Sequence, residues 1–213
     1  MRGGAQRGVI TCLGAALGVT ALVVVALGVH AQDLEPRAYV NTPVGLNFLI
    51  AGYAYSEGGV GTDPSIPLKD AKVQSHTAVL AYVRSLDVWG KSGKFDVVVP
   101  YAWTSGSATF AGQPQQRDVS GFGDPRFRFS VNLYGAPALS LKEFADYKQD
   151  VIVGASVQVS APGGQYDSSK LLNVGTNRWS VKPEVGISKA LGPLTLELVT
   201  GVKFYTDNHC CPN

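Results

Sequence analysis

A strict alternation of apolar and polar side chains runs through residues 126–134. Apolar residues occupy its odd positions and polar residues its even positions, namely Phe127, Phe129, Val131 and Leu133 against Arg126, Arg128, Ser130 and Asn132. A period of two predicts a β-strand with one apolar face and one polar face. In a soluble sheet the apolar face would cover a core. In a membrane barrel the apolar face would contact lipid and the polar face would line a lumen.

The same alternation recurs along the chain and predicts seven strands, near residues 46–55, 72–86, 94–103, 124–134, 151–161, 177–190 and 194–204. Segments of about ten residues are the length that a tilted barrel strand needs, and they exceed the usual strand of a soluble protein. Pro100 and Pro183 fall inside two of them, where each removes a ladder hydrogen bond and indicates a bulge or a strand end. Residues 138–148 predict a short amphipathic helix.

The first two predicted strands alternate less clearly than the others. In the first, Phe48 and Ile50 interrupt the polar face. In the second, Val79, Ala81 and Val83 lie on one face, which we expect to contact lipid. The opposite face is more polar and carries His76, Tyr82 and Arg84.

The connections between the predicted strands differ in length. Those after the first, third and fifth strands are long and polar, at residues 56–71, 104–123 and 162–176, whereas those after the second and sixth are short. Long loops at one end and short turns at the other are typical of an outer-membrane barrel whose N-terminus lies in the periplasm. Aromatic residues cluster at the long-loop end and predict an interfacial girdle, formed by Tyr53, Tyr55, Tyr101, Trp103, Trp179, Phe204 and Tyr205.

The N-terminus has the features of a secretory signal. Arg2 and Arg7 precede an apolar run at residues 9–29, and cleavage is expected after the small residue Ala31. The run is long enough to span a bilayer, so an uncleaved anchor is the alternative. The predicted organisation is a signal peptide at residues 1–31, a barrel at residues 32–208 and an aberrant tail at residues 209–213.

The charge balance excludes nucleic acid as a partner. Loss of residues 1–31 removes Arg2 and Arg7 from the 18 basic residues, which then equal the 16 acidic residues in number. A chain without net charge has no basic surface for phosphates. No second long apolar run follows the signal, so integral contact with a membrane requires a closed sheet.

The sequence shows no catalytic or metal-binding constellation. Cys210 and Cys211 are adjacent, a spacing that strains a disulfide, and with His209 they are too few to hold a metal ion. His76 is predicted to be a solvated or lumenal histidine, because no nucleophile accompanies it. Neither an enzyme nor a cofactor is therefore expected.

Six charged residues are predicted to face the interior of the barrel, namely Asp124, Arg126, Arg128, Arg178, Lys182 and Glu184. In the favoured interpretation they pair with one another and stiffen a filled lumen, because small barrels fill with side chains and buried charges need partners. In the alternative interpretation they line a path for solutes.

Four segments carry a resemblance to a known family. Residues 99–103, residues 121–125 with Arg128, residues 161–167 and residues 173–179 are similar to the bacterial outer-membrane proteins named for the meta-pathway of phenol degradation. The resemblance covers most of residues 40–208 and implies a β-barrel that is secreted through a signal peptide, acts as a transporter and carries no enzymatic residues. Members of the family continue beyond Asn208 to further strands and an aromatic terminus. The seven predicted strands are an odd number, whereas single-chain bacterial barrels have an even number of strands. We therefore expect a truncated or frame-altered version of a longer barrel.

These observations predict an antiparallel up-and-down barrel in the outer membrane that passes small aromatic or hydrophobic compounds. The lipid bilayer is its expected partner, and its oligomeric state is left open. One alternative is a plugged structural barrel without transport. Another is a soluble periplasmic sandwich or ligand-binding barrel, in which the apolar faces point inward.

Overall fold

The structure is a computed structural model, and it describes residues 38–59 and 68–208. The predicted signal peptide at residues 1–31 and the tail at residues 209–213, with its two cysteines, lie outside the described residues. So do residues 60–67 of the first long loop.

The described chain forms one antiparallel sheet that curls into a half-barrel. Its order is β1-β2-β3-β5-β6-β7-β8, with β4 paired to β3 and β9 paired to β7. The strands are β1 (Asn47–Gly59), β2 (Leu68–Val88), β3 (Lys91–Phe110), β4 (Gln113–Phe122), β5 (Arg126–Tyr134), β6 (Val151–Ser160), β7 (Ser180–Leu191), β8 (Leu194–Gly201) and β9 (Phe204–Tyr205). The predicted all-β, antiparallel fold is confirmed.

The predicted loop at residues 104–123 is instead a β-hairpin. Strand β3 continues to Phe110 and the chain returns as β4, with ten register pairs between Tyr101↔Phe122 and Phe110↔Gln113. Ala111 and Gly112 connect the two strands with φ angles of 49° and 79°, as a two-residue hairpin turn requires. Both faces of this extension are largely polar, so hydrophobic alternation could not reveal it.

Both strand prolines lie opposite an interruption in a neighbouring strand, in agreement with their predicted effect. The gap between β4 and β5 falls at residues 123–125, where the Gly123 amide donates to the Pro100 carbonyl at 2.9 Å. The gap between β8 and β9 falls at residues 202–203, where the Val202 amide donates to the Pro183 carbonyl at 3.2 Å. A proline has no amide hydrogen to return the bond, so the ladder breaks beside it.

The predicted helix at residues 138–148 shrinks to a single turn, α1 (Leu141–Phe144). Ser140 begins it with a capping box to Glu143, and these hydrogen bonds from Ser140 lower the pKa of Glu143. From Ala145 to Tyr147 the amides bond to carbonyls three residues back, which tightens the turn and ends the helix. Within the described residues, no helix combines the length and the apolar character needed to cross a bilayer.

The convex side of the sheet is apolar and the concave side of β5 to β7 is polar. On β5, Arg128, Ser130 and Asn132 are at most 5% exposed, whereas Phe129 and Leu133 are 43% and 50% exposed. An ordinary soluble core would require the opposite arrangement. The polar faces are thus the enclosed ones.

One prediction about the faces is wrong. The register pairs Tyr82 with Val97 and Val83 with Asp96, so β2 turns Val79, Ala81 and Val83 to the concave side and His76, Tyr82 and Arg84 to the convex side. The cause is that both faces of β2 carry apolar residues. Pairing with β3, which alternates clearly, decides the orientation.

Candidate functional site

The concave face is divided into a polar half and an apolar half. The polar half lies on β5 to β7 and consists of Arg128, Ser130, Asn132, Ser156, Gln158, Ser160, Ser180, Lys182, Glu184 and Ser188. The apolar half lies on β1, β2 and the part of β3 that follows the concave residues Lys94 and Asp96. It includes Phe48, Ile50, Val79, Ala81, Val83, Val98, Pro100 and Ala102. An interior of this kind offers different surfaces to the two sides of an amphipathic solute.

A cluster of three charged residues occupies the polar half. The Glu184 carboxylate lies 2.8 Å from the Lys182 ammonium and 3.6 Å from the Arg128 guanidinium. Their side chains are between 5% and 11% exposed. Ser156 donates a further hydrogen bond to Glu184 at 3.4 Å. Buried charges need such partners, because removing a charge from water costs on the order of several kcal/mol per ion.

The segment before β1, residues 38–46, closes the short-turn end of the half-barrel. The Ser85 hydroxyl donates to the Pro43 carbonyl at 2.6 Å and the Gly45 amide donates to the Ser85 carbonyl at 3.1 Å. The Asn41 side chain donates to the Pro137 carbonyl at 3.2 Å. These bonds fasten the segment to β2 and to the connection between β5 and α1, and they direct its first residues into the concavity.

Tyr39, at the start of this segment, is inserted into the polar half and is 1% exposed. Its hydroxyl is hydrogen-bonded to the Ser156 hydroxyl at 3.2 Å. Its ring lies on Gly154 and Gly186, where a Cβ atom would overlap the ring carbons. The Arg128 guanidinium carbon is 5.8 Å from the ring centroid, within the range of a cation–π interaction.

At the opposite end, Asp124 holds the loop of residues 162–176 against the inside of the sheet. Its carboxylate accepts bonds from the Gly164 amide at 2.9 Å, the Thr176 amide at 2.7 Å and the Thr176 hydroxyl at 2.6 Å. Arg117, on the concave face of β4, donates to the Leu172 carbonyl at 3.0 Å. This inward fold narrows the concavity at its long-loop end.

Within the same loop, hydrogen bonds from the Ser169 side chain and backbone lower the pKa of Asp167. The conformation of this loop is therefore maintained by local hydrogen bonds as well as by those to Asp124.

The structure brings three of the six predicted interior residues together, namely Arg128, Lys182 and Glu184. Arg126 is on the same face, paired in register with Ser160. Asp124 lies in the gap between β4 and β5, where its carboxylate accepts hydrogen bonds from the loop of residues 162–176. Arg178 precedes β7 and stacks on Tyr205, its guanidinium carbon 4.1 Å from the ring centroid.

Six of the seven predicted girdle residues lie on the convex side at the long-loop end, namely Tyr53, Tyr55, Tyr101, Trp103, Trp179 and Phe204. Tyr101 contacts Trp103 at a centroid distance of 4.7 Å. Tyr205 pairs with Ser180, a buried concave residue, and so faces inward. His76, expected to be solvated or lumenal, lies on the convex side beside Tyr53 and Tyr55, because the faces of β2 are reversed.

Sequence reasoning missed Tyr39 and the two glycines beneath it. The available signal was a glycine at a polar-face position in each of two neighbouring strands, since Gly154 and Gly186 interrupt otherwise regular alternation. A glycine inside a strand marks a close approach by another group. In the described part of the chain, no group of three or more His, Cys, Asp or Glu side chains is arranged to hold a metal ion.

Comparison with known proteins identifies relatives of this fold. The sequence model of one family, described as "Putative MetA-pathway of phenol degradation", matches residues 54–210, which confirms the resemblance noted above. Among solved structures, the chain is similar to the crystal structure of the COG4313 outer membrane channel from Pseudomonas putida F1, with a TM-score of 0.59 and 22% identity. The similarity covers 83% of this chain and 62% of the channel, so the chain spans less than two thirds of the channel's length. No curated protein shows significant similarity.

Proposed function

Because the chain belongs to the family described as "Putative MetA-pathway of phenol degradation", we propose that it acts in the outer membrane as a passive channel for small aromatic or hydrophobic compounds. We assign it no catalytic role. The apolar convex side supports the location, since a surface that exposes Leu49, Phe129, Leu133 and Leu198 is stable in lipid and unfavourable in water. The aromatic residues at its long-loop end suit a membrane interface.

The observation that carries the proposal is the apolar half of the concave face. Phe48 and Ile50 are 39% and 51% exposed there, on the inner side of β1, opposite Val83 and Ala81 in register. A pore for water and ions alone would favour polar residues on this wall. A wall of exposed apolar groups instead gives an aromatic or aliphatic solute a surface to cover, which releases water from both.

The test is uptake of a labelled aromatic compound by Gram-negative cells that produce the chain. We expect faster uptake than in cells without the chain, and no comparable gain for a polar solute of the same size. The Ala81→Asp variant should reduce the gain because it charges the apolar wall, whereas Ala71→Asp, outside that wall, should not. Equal uptake with and without the chain, while the folded chain remains in the membrane fraction, would refute transport.

A specific observation favours the second candidate, a plugged barrel without transport. Tyr39 and the charged cluster fill the polar half of the concavity, and the Asp124-held loop narrows its other end. Absence of flux from a correctly inserted chain would support that reading. Release of the chain by osmotic shock without detergent would instead support a soluble periplasmic protein.

A further inference from the structure

We infer that the slot now filled by the side chain of Tyr39 is a binding subsite for a phenol, meaning an aromatic ring that carries a hydroxyl group. This inference deepens the proposed function and rests on it for the route by which a phenol arrives. The side chain of tyrosine from Cβ outward is chemically 4-methylphenol. The slot is therefore already occupied by a group with the shape and polarity of a phenol.

The floor of the slot is flat and has the width of one ring. Gly154 and Gly186 are register partners on β6 and β7. A Cβ at Gly154 would overlap the Cδ1 and Cε1 atoms of Tyr39, and a Cβ at Gly186 would overlap Cδ2 and Cε2. The two edges of the ring thus rest on two backbones that approach it without side chains. Any larger residue at either position would exclude the ring.

The far end of the slot recognises the hydroxyl group. Ser156 lies two register pairs along from the glycines and is the next residue on their face. Because its hydroxyl donates to the Glu184 carboxylate at 3.4 Å, its oxygen can accept from the phenol at 3.2 Å. Beyond Ser156 on the same face, the side-chain amide nitrogen of Gln158 is buried and has no hydrogen-bond partner. Arg128, at 5.8 Å, faces the ring and adds a cation–π attraction.

The sides of the slot are apolar where the ring carbons lie. Tyr39 forms a buried cluster with Ala136 and Ile152, and Val199 packs against this cluster from β8. Together with the glycine floor and the serine end, these contacts match a ring that is apolar except at one position.

Tyr39 can leave the slot without unfastening the segment that carries it. On the C-terminal side of Tyr39, the bonds that hold this segment to the barrel involve Asn41, Pro43, Val44 and Gly45. On its N-terminal side, the Ala38 carbonyl accepts from the Lys94 ammonium at 3.3 Å, and none of these bonds uses an atom of Tyr39. An arriving phenol therefore competes with Tyr39 for one place, and its apparent affinity falls by the fraction of time that Tyr39 occupies the slot.

The experiment titrates the full chain in detergent with 4-methylphenol and with toluene, which lacks the hydroxyl. In Tyr39→Ala we expect 4-methylphenol to bind at least about tenfold more tightly than in the unmodified chain, because the competitor is gone. Toluene should bind about tenfold more weakly than 4-methylphenol, because it leaves the serine without its partner. Adding Gly186→Ala to Tyr39→Ala should abolish binding. Gly52→Ala, at an open position, should not.

Equal binding to Tyr39→Ala and to the double variant, or equal binding of the two compounds, would overturn the subsite and leave Tyr39 as a simple anchor. If Tyr39→Ala does not fold, refolding is repeated with each compound present. Rescue by 4-methylphenol and not by toluene supports the subsite, and rescue by neither overturns it. Binding without uptake by cells would keep the subsite and refute the proposed channel, whereas uptake without binding would do the reverse.

Discussion

The orientation of β3 predicts that two adjacent valines respond in opposite ways to a charge. Val97 lies on the convex side, in register with Tyr82 and Phe127, and Val98 lies on the concave side, in register with Ala81 and Arg126. From Lys91 to Trp103 the strand is about 41 Å long at ~3.4 Å per residue. A tilt of ~40° leaves about 31 Å of depth, and Val97 is half-way along it.

Val97→Lys is therefore expected to destabilise the protein in lipid by about 2–4 kcal/mol, the cost of a lysine at the bilayer midplane of a barrel. Val98→Lys should cost less than about 1 kcal/mol, because its ammonium points away from lipid into the concavity, on the same face as Asp96 and in register with Arg126. Ser105→Lys, on the convex side above the aromatic belt, should also cost about 0–1 kcal/mol.

The assay is urea unfolding of the chain in lipid vesicles, followed by the electrophoretic shift between folded and unfolded protein. A ΔΔG is obtained for each variant from the midpoint and the slope. Equal costs for Val97→Lys and Val98→Lys would show that the convex side does not face lipid. A larger cost for Val98→Lys would place the protein core where we place the lumen.

Two further predictions concern the ends and the centre of the concavity. Asp124→Ala removes the acceptor of three hydrogen bonds, so it should destabilise the chain by about 1–3 kcal/mol and speed proteolysis within residues 162–176; unchanged cleavage would contradict it. Glu184→Gln leaves two buried cations without their carboxylate and should cost about 3–5 kcal/mol in urea unfolding. The matched change at exposed Asp146, Asp146→Asn, should cost less than about 0.5 kcal/mol; equal effects would contradict the buried cluster.

The strands that line the polar half could be predicted from sequence to within three residues at either end. The prediction of residues 151–161 corresponds to β6, and that of residues 124–134 to β5. In these strands one face is apolar and convex and the other is polar and concave, so apolar and polar residues alternate regularly. Pro100 and Pro183 also indicated the interruptions in the neighbouring strands, because a missing amide hydrogen removes a ladder hydrogen bond in any sheet.

The strands of the apolar half and the segment before β1 could not be predicted in the same way. Val83 and Tyr82 are both apolar enough to face lipid, so only the register with Asp96 and Val97 distinguishes their faces. Tyr39 belongs to a segment without hydrophobic periodicity. Its position depends on Gly154 and Gly186, which are more than about one hundred residues away in the sequence. Long-range contacts of this kind leave no local pattern.

The uneven alternation is itself informative about the interior. A lumen that held only water would select polar residues on every inward face, and alternation would then be as clear in β1 and β2 as in β5. Its loss means that apolar groups such as Phe48 and Ile50 remain exposed inside, at a cost of about 25 cal/mol for each Å² in contact with water. In the proposed function, an aromatic or aliphatic solute that covers them removes this cost. Under the proposed function, such an interior is less favourable when it is filled with water than when an apolar solute covers this wall, which is the difference that a selective passage needs.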